Sequence, residues 1–574
     1  MTAQLPSPAP PLNAALRAER LATIGDQVFD IVVVGGGVTG TAIARDSAMR
    51  GLKTLLVEKG DLAVGTSSSS SKLAHGGLRY LEQGQLSLVY ESVTERHRLR
   101  QLAPHLVRPI PFIFPVYERK PRPLWMVNLG LWIYDGMAMF RSYKLHTRHN
   151  ARSTAQLEPA LRTEGLDGCV KYYDCMTDDA RLTLENALSA HLSGATVLTY
   201  AEVRAFQMRR ARVNGVELVD SLTGTSHTVT ARSVINATGP WTDRTLGLRG
   251  NRSRVLRPTK GVHVVLSRER LPVNHAVVLP NGVDRRVVFA VPWGNRVMLG
   301  TTDTDFQGDF DDVHTTAEDV DYLLELTNAF MPDCKLRPED VLGAYAGLRP
   351  LVSEEGDPSK VSREHSIHED EDGLITVAGG KLTTHRLMAA ETLSLVARHF
   401  KKEGVRIGGC HTGTAPLPGG TGIAFRGSQL VTTGVRLPVG FETDAEEHLG
   451  HDVVEHLQES YGKSWVELAS RAGESAELGK RIIPDLPYLW AEVDHAVEHE
   501  LTMTLRDFMR RRTQIEIRDF DQAVEVAPRV CERMALLLGW STSEARQQLA
   551  SFQEQAQEHM AWREEAGTAT IREG

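Results

Sequence analysis

Cysteine is scarce in this 574-residue chain, and the few present show no pairing. Cys169, Cys175, Cys334, Cys410 and Cys531 are odd in number, scattered and without a CxxC. That argues against a disulfide framework and a zinc site, and for a reducing compartment. A surplus of positive charge is also missing. The 65 Lys and Arg against 73 Asp and Glu leave a formal net charge of −8, which gives no reason to expect a nucleic-acid partner. Long hydrophobic runs are lacking: the longest, "PLWMVNLGLWIYDGMAMF" (123–140), is broken by Asn128 and Asp135 and makes a poor spanning helix. Residues 1–28 are rich in Ala and Pro, hold no apolar core of signal-peptide length, and are expected to form a loose extension. No internal repeat stands out. With 41% hydrophobic and 24% charged residues the composition suits a soluble globular protein, and the length suits two or three domains.

What is present begins at residue 29. "FDIVVVGGGVTGTAIARDSAMRGLKTLLVEKGD" (29–61) reads as strand, tight turn, helix, strand, with Ile31–Val34 apolar throughout as in a strand covered on both faces. Gly35, Gly37 and Gly40 have the GxGxxG spacing: the first permits the turn, the second lets backbone approach a pyrophosphate, the third lets helix pack on strand. The helix N-terminus offers N–H groups to phosphates, and Glu58 ends the second strand as an acceptor for ribose hydroxyls. Together these favour a dinucleotide; the motif alone leaves NAD and FAD open.

Two later segments repeat the strand-to-glycine pattern. "SVINATGPWTD" (233–243) runs into Ala237, Thr238 and Gly239, and "LITVAGGKLTTHRLMAAETLSLVARHF" (374–400) into Gly379, Gly380 and Lys381 before an amphipathic helix. The second helix N-terminus is suited to negative charge on a reduced flavin. In this order, the motifs resemble the two-domain flavoprotein oxidoreductases of the D-amino-acid-oxidase type.

"TSSSSSKLAHGGLRYLE" (66–82) could pass for a flexible linker by its serines. Joined with "IPFIFPVY", "YYDCMTDDARL", "NATGPW", "KGVHVV", "VPWGNRVMLGTTDTDF", "AGLRPL" and "GGKLTTHR", it resembles the aerobic, FAD-dependent glycerol-3-phosphate dehydrogenase family, densely over residues 29 to 395 and more loosely to about 550. Two departures are Ala42 where the family usually has glycine, and His385 where it usually has tyrosine.

The resemblance implies that FAD is held by Gly35, Gly37, Gly40, Glu58, Ser67, Ser68, Ser71, Lys72, Gly76, Gly77, Val203, Ala237, Gly239, Gly380, Lys381, Leu382 and Thr383. It implies a substrate site of Arg79, Tyr80, His263, Arg349, Arg363 and Lys381, with His263, Arg349 and Lys381 catalytic. Arginine suits phosphate because its planar fork bonds two oxygens at once. His263, among valines on an expected strand, is a candidate base, with a neighbouring polar group as the alternative. The implied reaction is oxidation of sn-glycerol 3-phosphate to dihydroxyacetone phosphate, hydride passing from C2 to flavin N5 and electrons onward to a membrane quinone. Rival acceptors or substrates are oxygen, as in a glycerol-3-phosphate oxidase, and an amine or 2-hydroxy acid on the same fold; a flavin-binding regulator without turnover is the rival from another class. FAD is expected to be non-covalent, His75 being the nearest residue with attachment chemistry. Arg119, Lys120 and Arg122 before the Trp-containing stretch suit a peripheral position on the inner face of the cytoplasmic membrane, in a cytoplasmic homodimer.

The expected fold class is α/β. A Rossmann-type FAD-binding domain interleaved with a mixed or antiparallel-sheet substrate domain spans 29–400, the strands including 262–266, 286–292 and 296–301. A Gly/Pro-rich linker at 401–424 leads to a mainly helical domain at 425–574. Arg510, Arg511 and Arg512 are expected on a solvated helix face or in buried ion pairs.

Overall fold

The computed structural model describes residues 9–82, 84–118, 123–250, 255–281, 286–352, 365–426, 429–433 and 440–566. The apolar run at 31–34 lies in the strand Val28–Val34, where Ile31, Val32 and Val33 are wholly buried. This strand pairs in parallel with Thr54–Val57 on one side and Ser226–Asn236 on the other, and Ser226–Asn236 pairs in parallel with Ile375–Gly379. The three glycine-bearing turns, far apart in sequence, therefore leave the carboxyl edge of one sheet side by side, where open α/β sheets bind ligands. Thr196–Leu198 extends the sheet in parallel beyond Thr54–Val57, and His365–Glu369 closes the other side antiparallel. The helices Val38–Met49, Asp179–Leu192 and His385–Lys402 share one core cluster with this sheet, and Ala42 is buried within it.

The second sheet is mixed. Leu256–Ser267 pairs antiparallel with Val341–Val352 and with Arg296–Gly300, which pairs with Val287–Trp293. Ala276–Pro280 follows, lies parallel to Arg108–Tyr117, and that strand is antiparallel to Leu166–Met176. The three strands expected here fall within the observed Leu256–Ser267, Val287–Trp293 and Arg296–Gly300, apart from single residues at their ends.

After the ribbon Ile423–Arg426 and Gln429–Thr432 the chain is helical, from Phe441–Leu449 to Thr542–Met560, around cores that include Trp465 and Phe508. Within this helical region Asp507–Arg512 forms a π-helix with its three arginines buried in ion pairs, the second of the two placements expected for them. Two segments are more ordered than their composition suggests. In the N-terminal extension, Ala14–Thr23 is a helix capped by Asn13, and its buried Arg17 bonds Asp220 Oδ1 at 2.5 Å and the Thr199 carbonyl at 2.9 Å. In the expected linker, Leu417 is buried and Gly420 lies so near Leu102 that a Cβ would stand 2.3 Å from its carbonyl oxygen. Glycine serves there for close approach, which composition alone reads as flexibility.

Candidate active site

A cavity of about 300 Å³ opens where the three turns converge, lined by Gly35, Gly37, Glu58, Ser67, Val203, Ala237, Gly239, Gly380, Lys381 and Leu382, among others. Gly35 has φ +115° and abuts Ala237, whose carbonyl oxygen would be 2.5 Å from a Cβ. A Cβ on Gly40 would meet the Gly35 carbonyl oxygen at 1.9 Å, so only glycine lets the helix start this close to the turn. Glu58 accepts hydrogen bonds from Gly36 N at 2.6 Å and Gly60 N at 2.9 Å, which orients its carboxylate at the cavity wall. Burial pushes its pKa up, opposed by those two bonds. A Gly-rich wall, a helix N-terminus at Gly37 and a buried acid form a donor and acceptor set that fits the adenosine and pyrophosphate of a dinucleotide.

The serine run divides its labour. Ser67 Oγ accepts from Val38 N at 2.9 Å in the cleft, and Thr66 donates to the Leu348 carbonyl at 2.5 Å. Ser68 and Lys72 lie behind the cradle and line neither this cavity nor its neighbour. Lys72 Nζ is buried 2.6 Å from Asp179 Oδ1, while Ser70 N and Oγ donate to Asp179 Oδ2 at 3.0 and 2.7 Å. Gly76 and Gly77 serve packing in the same turn. A Cβ on Gly76 would strike Tyr134 Oη at 2.1 Å, one on Gly77 would strike the Tyr80 ring at 2.1 Å, and Gly76 N donates to Asp174 at 3.0 Å.

A second cavity of about 160 Å³ adjoins the first, sharing Thr66, Pro350, Gly379, Gly380, Lys381 and Leu382. His263, Arg349, Ser71, Tyr80, His75 and Thr383 line it. The strand register explains the grouping. Thr259 faces Arg349 and His263 faces Tyr345, and four-residue spacing on paired strands puts all of these side chains on one face. Gly261 clears the way, since a Cβ there would be 2.4 Å from the Arg349 guanidinium. That guanidinium is aimed by Asp303 Oδ1 at 3.0 Å, Thr301 Oγ1 at 2.9 Å and the Thr302 carbonyl at 3.1 Å. His263 is buried with Nε2 2.9 Å from Ser71 Oγ. Burial, then the charges of Arg349 and Lys72, hold its pKa well below the ordinary value, so the imidazole is neutral at pH 7. Lys381 Nζ lies 3.9 Å from the centre of the Tyr80 ring and 3.2 Å from Ser92 Oγ, at the start of the turn that leads into His385–Lys402.

Arg363, with Arg119, Lys120 and Arg122, and the side chain of Arg79 lie outside the described residues. His385 does not reach either cavity: it is buried behind the Gly-Gly-Lys turn, with Nδ1 2.7 Å from the Leu382 carbonyl and Nε2 3.3 Å from Asn186 Nδ2. The motifs did not single out Asp303, Tyr345, Asp179 or Trp241, although each lies within a motif or one residue beside it. Trp241 lines the larger cavity, and Lys59 Nζ sits 4.3 Å over its ring.

Known proteins resemble this chain over most of its length. The family model for FAD dependent oxidoreductases matches residues 30–395, and that for the C-terminal domain of alpha-glycerophosphate oxidase matches 410–545. Glycerol-3-phosphate dehydrogenase 2 of Mycobacterium tuberculosis is 37% identical over 549 residues, 95% of this chain and 91% of that protein. The aerobic glycerol-3-phosphate dehydrogenase of Staphylococcus haemolyticus is 35% identical over 90% of this chain and 92% of its own. The chain belongs to the aerobic, FAD-dependent glycerol-3-phosphate dehydrogenase family. Its cofactor is FAD. The crystal structure of the Bacillus halodurans glycerol-3-phosphate dehydrogenase complexed with FAD superposes with a TM-score of 0.76 at 30% identity, covering 95% of this chain and 98% of that one. An L-alpha-glycerophosphate oxidase from Mycoplasma pneumoniae shares the fold at a TM-score of 0.52 and 19% identity, covering 68% of this chain and 99% of that one. The lining of the larger cavity fits a dinucleotide, and the smaller cavity shares its Gly379–Leu382 wall.

Proposed function

We propose that the protein oxidises sn-glycerol 3-phosphate at C2 to dihydroxyacetone phosphate and passes the electrons to a membrane quinone. The observation that carries the reading is the Arg349 fork beside a neutral, buried imidazole in a small cavity that shares the Gly379–Leu382 wall with the cofactor cleft. FAD supplies the hydride acceptor, N5 of its ring. Arg349 binds substrate oxygens, held in orientation by Asp303 and Thr301. His263, uncharged, takes the hydroxyl proton as the C2 hydride leaves. Lys381 and the helix N-terminus behind it favour negative charge at the junction of the two cavities.

The quinone assignment is supported by the surface. On the helix Leu124–Met137, Trp125, Met126, Leu129, Trp132 and Ile133 are exposed, Trp125 to 59%, and Phe140 just beyond it to 60%. An apolar face with two tryptophans fits a lipid interface, while no helix of the described residues is long and apolar enough to cross a membrane. A second reading, oxygen as acceptor, draws on the alpha-glycerophosphate oxidase match of residues 410–545. Anaerobic mixing with glycerol 3-phosphate is expected to bleach the flavin absorbance at once. Re-oxidation by a short-chain quinone should then far outpace re-oxidation by air. A flavin left unbleached removes the substrate assignment, and the reverse order of acceptors makes the protein an oxidase.

A further inference from the structure

Arg511 and Arg512 of the π-helix Asp507–Arg512 turn onto the catalytic body, while Arg510 pairs with Glu516 in its own domain. A π-turn widens the backbone and recurs at functional positions. Arg512 forks onto Asp61, Nη1 2.8 Å from Oδ2 and Nη2 2.9 Å from Oδ1, and Arg511 Nε reaches Oδ2 at 2.5 Å. The Asp61 carboxylate is fully buried beneath the two guanidiniums. Arg511 is held in turn by Asp507, which also accepts from Tyr200 Oη at 2.6 Å.

Asp61 belongs to the loop that begins at Glu58. That loop is stitched to the dinucleotide turn by Gly36 N on Glu58 and by Ala63 N on the Gly36 carbonyl, and Tyr200 N donates to the Gly60 carbonyl. The C-terminal guanidiniums fix its middle. Two residues past the π-helix, Gln514 donates to Asp178 Oδ2 at 2.6 Å. Asp178 caps the helix whose first residue, Asp179, anchors Lys72 and Ser70. One short segment of the C-terminal domain thus supports both the Glu58 loop and the serine block behind the cleft.

Burying an aspartate under two arginines adds little net stability, because desolvation offsets the attraction, but it fixes geometry tightly. We propose that the Arg511–Asp61–Arg512 brace is a positioning device for the cofactor, through which the C-terminal domain sets the affinity of the Glu58 loop for the adenosine half of FAD. The inference rests on the reading of Glu58 as the ribose acceptor.

The test is FAD affinity of the full-length chain, measured by dialysis and flavin fluorescence on reconstituted apoprotein. Arg512→Lys keeps the charge and loses the fork. It is expected to raise the FAD Kd about tenfold or more, the scale of one charge-assisted hydrogen bond, with kcat restored to within about twofold by excess FAD. Tyr200→Phe removes one hydroxyl from the support of Arg511 and should raise the Kd about threefold. Leu468→Ala, in the separate helical core around Trp465, should lower the thermal midpoint and leave FAD affinity unchanged. The brace is overturned if Arg512→Lys and Tyr200→Phe bind FAD as tightly as wild type, or if Leu468→Ala loosens FAD as much as they do. If Arg512→Lys does not fold, the comparison of Tyr200→Phe with Leu468→Ala decides alone. Glu58→Gln separates the two readings: if it loses FAD while Arg512→Lys does not, the brace falls and the cofactor site stands; unchanged affinity in Glu58→Gln removes the premise and the brace with it.

Discussion

The imidazole of His263 lies flat on the phenol ring of Tyr345, with centroids 4.8 Å apart and planes inclined by 11°. Tyr345 Oη donates to the Ser70 carbonyl at 3.0 Å, so the imidazole is clamped between a strand and the serine block. Stacking contributes about 0.5–1.5 kcal/mol and the hydroxyl bond about 1 kcal/mol. Tyr345→Phe should keep kcat within about threefold, whereas Tyr345→Leu should lower it about tenfold at saturating FAD. A leucine variant with wild-type kcat would show that the stack does not orient the imidazole for turnover.

Arg349 cannot give up its charge, and its fork is already oriented by Asp303 and Thr301. Arg349→Lys should reduce kcat/KM roughly 10²-fold, the scale of losing oriented charge-assisted bonds of ~1.5–3 kcal/mol each. The flavin-to-protein ratio should stay at the wild-type value, because Arg349 lines only the smaller cavity. Loss of flavin in this variant would make Arg349 structural.

His385 is buried, and burial is the main cause holding its pKa down at about 4 against 6.5 for the free side chain. Between those values the unfolded chain binds more protons than the folded one, so stability is complete above pH 6.5 and declines as pH falls toward 4. Over that window the loss from this residue is about 3 kcal/mol. Urea midpoints measured from pH 7 to 4.5 should fall less steeply in His385→Gln than in wild type. Parallel curves would show that other groups govern the acid limb.

Exposed apolar side chains on the Leu124–Met137 helix lead to a further expectation. Replacing Trp125, Leu129 and Trp132 by serine should abolish most binding to anionic liposomes and leave turnover with a soluble quinone analogue near wild type. Neutralising Arg119, Lys120 and Arg122 should instead make the residual binding insensitive to salt. Undiminished liposome binding in the serine variant would place the membrane contact elsewhere.

The sequence carried the cofactor side of the fold well, since strand, glycine spacing and terminal acid are local signals with a physical purpose each. His263 and Arg349 were named by family resemblance, and only the strand register shows why they meet. Asp303 and Tyr345 were less visible because their work is pairwise and tertiary: an aspartate is a positioning group only once an arginine is found 3.0 Å away. Composition misled where glycine serves close contact, as at Gly420, whereas the expectation of buried ion pairs for the arginine run is met, though Asp61 as the partner of Arg512 is a tertiary fact.

Because the cleft is walled by Gly35, Gly239 and Gly380 together, it has no complete form while the chain is still short of its third turn. At translation rates of about 5–20 residues per second, the ribosome needs on the order of half a minute to lengthen the chain from the first glycine turn to the last. A ligand touching all three walls can be held in full only once the third turn has been made, and until then the first strand, Val28–Val34, lacks its neighbour Ser226–Asn236 and that strand lacks Ile375–Gly379.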